Sequence, residues 1–135
     1  MTFSLLKYPL KALEICITKM TLSWCKNNKE KLVVKEQLID HAFNVYYFDA
    51  LRLNPEDVEI VEKTEKRIVC RWRNPCQVWK KCKMLKLDTK IVCREAFEKP
   101  AKILLKQIDQ KLNFRRNYDK IRPYTDFCEE IIEIL

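Results

Sequence analysis

The chain has 135 residues, 47% of them apolar, with a net charge of +8, seven cysteines, one histidine and no glycine. That is one domain's length with enough apolar residues for a core, which excludes wholesale disorder. The missing glycine excludes the P-loop, the G-x-G-x-x-G dinucleotide turn and the G-x-S-x-G nucleophile elbow, and a lone His41 excludes H-E-x-x-H zinc proteases.

Leu6, Leu10, Leu13, Ile17, Met20 and Trp24 are spaced 4-3-4-3-4. This is one apolar stripe of a first helix, with Pro9 in its opening turn and Asn27-Asn28 at its end. The stripe over residues 6–24 fits docking onto its own domain, and its heptad spacing also fits a homodimer seam. A second helix is expected from Glu30 to Leu51, apolar on two rows, with His41 beside one of them. Asn54-Pro55 then breaks the chain. Val58–Lys63 and Arg67–Trp72 are β-branched runs around Thr64-Glu65-Lys66, a hairpin whose second strand points Ile68, Cys70 and Trp72 one way. Asn74-Pro75 starts a helix to about Lys86, with Val78, Cys82 and Leu85 inward. Helices over Thr89–Lys99 and Ala101–Lys111 follow, with a break or kink at Pro100. Asn113–Lys120 reads as a strand. From residue 127 to 134 local rules favour a helix, because Asp126 and Glu129 form a capping-box pattern. The expected fold is α+β, a single domain over 1–135, with a helical part to residue 52 and a cysteine-containing α/β part from 55.

Charge is unevenly distributed. Residues 1–62 hold 8 bases and 9 acids, residues 63–122 hold 19 bases and 6 acids, and the tail from Pro123 holds four acids and no base. A basic middle fits an anionic partner, such as nucleic acid or a phosphorylated or carboxylated ligand, and equally a Lys-rich solvated surface of a thermostable protein. Trp72, Trp79, Tyr118 and Tyr124 interleave with Arg71, Arg73, Arg115, Arg116 and Arg122. That mixture can stack on bases or hold a flat anion in a pocket. Seven thiols are too few for a disulfide scaffold, no C-x-x-C occurs, no signal-peptide pattern is present and no apolar run approaches 18 residues. The expectation is a cytoplasmic protein with reduced thiols and no membrane association. Cys76 stands in the first turn after Asn74-Pro75, near Arg71 and Arg73, where a thiolate is favoured. A nucleophile, a soft-metal ligand and an inert thiol all remain open there.

Four stretches together carry a resemblance: Arg71–Cys82 (RWRNPCQVWKKC), Leu87–Arg94 (LDTKIVCR), Ile108–Tyr118 (IDQKLNFRRNY) and Ile121–Ile132 (IRPYTDFCEEII). Over residues 55–135 they resemble the L-2-amino-thiazoline-4-carboxylic acid hydrolase-like family, in its small archaeal branch, itself similar to vinyl-reductase-like sensor domains. The resemblance implies a small antiparallel sheet packed on helices. It makes 127–134 the last strand, paired with Asn113–Lys120. It also implies that Cys76, Cys93 and Cys128 converge on one pocket. Three such thiolates would suit zinc, two could form a disulfide, and all three could be separately buried. The function expected is a small-molecule or metal-binding sensor-like domain, with Trp72, Arg73, Arg115, Tyr118 and Arg122 holding a small anionic or heterocyclic ligand. The alternatives are a cysteine-dependent hydrolase with Cys76 as nucleophile, and a basic nucleic-acid-binding protein.

Overall fold

β-branched residues flanking a polar three-residue connection form the hairpin β1 (Val58–Lys63) and β2 (Arg67–Trp72), with the expected bounds. The structure is a computed structural model and describes Phe3–Leu135, with side chains from Lys7 onward; Leu6's side chain lies outside the described ones. Two more strands, β3 (Leu112–Asn117) and β4 (Cys128–Ile134), complete an antiparallel sheet of order β1-β2-β4-β3. The last segment is thus a strand, as the resemblance implies and against the local helix reading. Pairing decides it: β4 has a ladder on each side, and the Glu129 carboxylate of the capping-box pattern accepts from Arg71 and Asn117.

The fold is α+β, with an N-terminal helical part that departs from two simple helices. α1 spans Phe3–Asn27 and ends where expected, Asn28 Nδ2 donating to the Trp24 carbonyl at 2.8 Å. Its start is earlier than expected, so Pro9 lies inside the helix. Met20 is 62% exposed while Cys25 is buried. A heptad row drifts about 20° per repeat around a straight helix, which rotates later members off the packed face. α1 packs on α6 (Glu98–Ile108) and on the turn before it, so its apolar face is used within the chain.

No continuous helix covers residues 30–51. Instead α2 (Lys29–Leu32) stops at an extended Val33, and α3 (Leu38–Phe43) begins after Gln37. From Asn44 to Ala50 the winding widens to a π-helix, with the Leu51 amide donating to the Tyr46 carbonyl at 3.1 Å. Val33-Val34 is stiff and β-branched, which favours the extended break. The wider turn lets the consecutive Val45, Tyr46 and Tyr47 all bury.

α4 runs Gln77–Leu85, with Cys76 rather than Asn74 at its N-cap. Cys82 is buried against Leu10, Val92 and Ala96, but Leu85 is exposed, because the last turn projects beyond these partners. α5 (Thr89–Val92), capped by the Asp88 side chain, continues through a π-turn at Cys93–Phe97 into α6. No break occurs at Pro100. The π-turn absorbs the missing N–H, which leaves Pro100 in the first turn of α6.

With no glycine available, Arg52 and Lys86 take the left-handed conformation, at φ 55° and 56°. Lys86 is the C-cap of α4. A Cβ there costs about 1 kcal/mol. Lys86→Gly is therefore expected to raise stability by about that much, read as a higher urea midpoint at unchanged m-value.

The inner face of the sheet packs on the helices through Ile68, Cys70, Phe114 and Ile132, against Phe43, Tyr47 and Leu105. No helix among the described residues is long and apolar enough to cross a membrane.

Candidate functional site

The two π-helical segments border one cavity. Its volume is about 590 Å³, and Tyr46 of the first segment and Cys93 and Phe97 of the second form part of its wall. Ile17 of α1, Leu104 of α6 and Trp72 at the end of β2 supply apolar surface. Asn74, Pro75 and Cys76 close another side. The N-P-C turn is placed there because Trp72 ends the hairpin strand on its inner face, and Arg73 N–H is fixed by the Asp57 carbonyl at 3.0 Å.

A charged network lies behind this wall. Glu130 is fully buried on the inner face of β4, directly paired with Cys70 on one side and Arg116 on the other. Its Oε2 accepts from Arg116 Nε at 3.0 Å and Nη2 at 2.8 Å, and its Oε1 accepts from Tyr47 Oη at 2.9 Å. Arg116 in turn reaches the Cys93 carbonyl at 3.5 Å and contributes to the cavity wall. A buried carboxylate needs this degree of satisfaction, and two guanidinium N–H groups on one oxygen together with the phenol on the other provide it. Burial pushes the hydroxyls of Tyr46 and Tyr47 well above the usual tyrosine range, and the Glu130 charge adds to the effect, so both stay neutral donors.

The structure brings Cys76, Cys93 and Cys128 to the wall of this one cavity. All seven cysteines are free thiols. Burial pushes the Cys93 thiol up to about 12. Arg116 pulls it down, while Cys76, Cys128 and Cys82 add to the rise. A protonated thiol is a poor nucleophile. Among the described residues no three of His, Cys, Asp and Glu form a group that could hold a metal ion. The three thiols thus share one cavity wall as free cysteines.

The arginines have separate placements. Arg115 points to the outer face and forms a bidentate pair with Glu133, at 2.8 and 3.1 Å. Tyr118 donates to Glu98 at 3.2 Å and stacks under Arg94, away from the cavity. Arg73 and Arg122 line a neighbouring cleft with Trp79 and Tyr124. The Arg122 guanidinium lies over the rings of both Trp72 and Trp79, at 5.1 and 5.6 Å. The basic middle and acidic tail meet across the ladders. Arg71 pairs with Glu129, Arg116 with Glu130 and Arg115 with Glu133. The Glu129 and Glu133 carboxyls are accordingly held below their ordinary value, Glu129 by hydrogen bonds from Asn117 and Arg71 against its burial, Glu133 chiefly by Arg115.

Candidate bases for cysteine chemistry are engaged elsewhere. The His41 ring is buried, with Nε2 at 3.0 Å from the Lys31 carbonyl. Glu129 and Glu130 are held in the ion pairs described. Sequence reasoning missed the Tyr46–Tyr47–Arg116–Glu130 group as a unit. The available signal was a single charge in each of two otherwise apolar alternations, Leu112-Phe114-Arg116 and Cys128-Glu130-Ile132.

Compared with known proteins, the chain matches no family model, no curated protein and no solved structure.

Proposed function

We propose that this chain is a ligand-binding domain of the sensor kind, which holds a small, largely apolar molecule in the cavity beneath Trp72. The observation that carries the reading is the cavity itself. Its volume of about 590 Å³ is within the range of small-molecule sites, its walls are mostly apolar, and a few polar groups converge on it. The Arg116–Glu130 pair gives that wall a fixed dipole without a free charge. Neutral hydroxyl and thiol groups at Tyr46 and Cys93 can donate to an acceptor on the ligand. The family resemblance over residues 55–135 likewise implies a small-molecule ligand.

Two π-turns on the cavity wall support the same reading. Such turns are retained at functional sites despite poorer hydrogen bonding. The nucleic-acid reading is weakened because three of the five candidate arginines, Arg71, Arg115 and Arg116, are committed to glutamates on β4.

The test uses the neutral fluorescent probe N-phenyl-1-naphthylamine. Saturable binding at one site per chain is expected. Ile17→Trp, which fills the cavity from the half-buried face of α1, should weaken it at least tenfold while leaving the far-ultraviolet circular dichroism unchanged. No binding by the wild-type chain, or binding indifferent to Ile17→Trp, would contradict the proposal.

A further inference from the structure

Arg122 is the anomaly among the buried charges. It is only 4% exposed, yet no carboxylate lies within 4.0 Å of it among the described residues, whereas buried Arg116 has Glu130. Its Nη1 donates to the Asn74 carbonyl, and its Nε and backbone N–H approach the Cys128 sulfur at 3.4 and 3.5 Å. Its Nη2 is buried with no hydrogen-bond partner. Two indole rings flank the guanidinium. A desolvated cation with one carbonyl, one sulfur and two π-faces remains short of a counter-charge, a condition that folded proteins correct by pairing.

Beside it is a cleft of about 490 Å³, walled by Arg122 itself, Arg73, Trp79, Tyr124 and Asp126. Arg73 is half-exposed, and its one carboxylate contact, to Glu59, is long at 3.8 Å. The Tyr124 hydroxyl is already committed to Asp88, at 2.9 Å. Lys90 lies over the Tyr124 ring at 4.1 Å and adds positive charge at the rim. Asp126 is the one acidic wall residue.

We propose that this cleft is an oxyanion site, in which the Arg122 guanidinium turns its unpartnered Nη2 into the cleft to bond a carboxylate or phosphate group that takes a second contact from Arg73. The bidentate preference of guanidinium and the exclusion of water by Trp72 and Trp79 would set its selectivity over chloride. The site is distinct from the cavity beneath Trp72 and does not depend on what that cavity holds.

The experiment titrates the full chain with inorganic phosphate, and separately with acetate, at constant ionic strength, following the three indole N–H signals by NMR. The expected result is a saturable shift of Trp79 and Trp72, whose rings flank Arg122, with Trp24 unmoved, since Trp24 neither lines the cleft nor flanks Arg122. Arg122→Met should abolish the shift. The exposed Arg73→Met, which leaves the buried groups intact, should weaken binding about tenfold. Asp126→Asn should strengthen it. The phosphate and acetate arms tell which oxyanion is preferred, and a saturable shift with either supports the site. The proposal is overturned if chloride gives the same shifts, if neither anion moves Trp79, or if Arg73→Met binds as the wild type does. It is equally overturned if Asp126→Asn destabilises the anion-free protein, which would make Asp126 the counter-ion.

Discussion

Arg116→Met is expected to cost about 3–5 kcal/mol of folding stability, a large share of the total for a domain of this size. The substitution keeps the apolar stem of the side chain but removes the guanidinium and strands Glu130, which is fully buried and receives two of its three hydrogen bonds from Arg116. The carboxylate is then left buried with Tyr47 as its one remaining partner. Replacing the whole group, Arg116→Met with Glu130→Leu and Tyr47→Phe, should recover most of the loss, since apolar groups of similar volume often match a buried ion pair. Urea unfolding of the two variants checks both statements. A loss below about 1 kcal/mol for Arg116→Met would mean that the pair is solvated in solution.

The second large effect is kinetic. Cys93 borders the cavity and is only partly covered, so a small alkylating reagent can reach it, yet its thiol is pushed up from 9.0 to about 12. The thiolate is the reacting species. At pH 8 an ordinary thiol of that type is about 10% ionised and Cys93 about 0.01%, so Cys93 should react roughly 1000-fold more slowly than a small-molecule thiol. Because the shift is upward, its rate should still be climbing at pH 10. Mass spectrometry of iodoacetamide-treated native protein, resolved by peptide, reads both quantities. A rate that levels off near pH 9 would show that Cys93 is hydrated and ionises normally.

Much of the scaffold was legible because its signals are local. Alternation around Thr64-Glu65-Lys66 defines the hairpin, and the burial of Ile68 and Cys70 follows from period 2. The stretches that were misread are those where a local rule competes with tertiary pairing. Asp126 and Glu129 satisfy a capping box on paper, but the Glu129 side chain is worth more to Arg71 and Asn117 across the sheet. Residues 30–51 carry two apolar rows that fit a helix, while the chain instead breaks at Val33 and widens after Phe43. Neither π-turn has a period that a 3.6-residue template detects. The candidate site was legible in part. Cys76, Cys93, Cys128 and Trp72 share a cavity, whereas Arg115 and Tyr118 do not reach it, because strand parity turns Arg115 outward and Glu98 holds Tyr118.

The order β1-β2-β4-β3 has a consequence for synthesis. β2 finds β1 at once but must wait for β4, which follows about 55 residues later. At a translation rate of about 5–20 residues per second, that is roughly 3–11 s during which Ile68, Val69 and Cys70 present an unsatisfied edge on the nascent chain. Neighbouring ribosomes on one message would carry the same open edge, a geometry that invites strand exchange between copies. Lys63, Lys66 and Arg67, clustered with Glu62 and Glu65 where the hairpin turns, place hydrated charges at one end of that edge, which disfavours strand addition there until the central strand arrives.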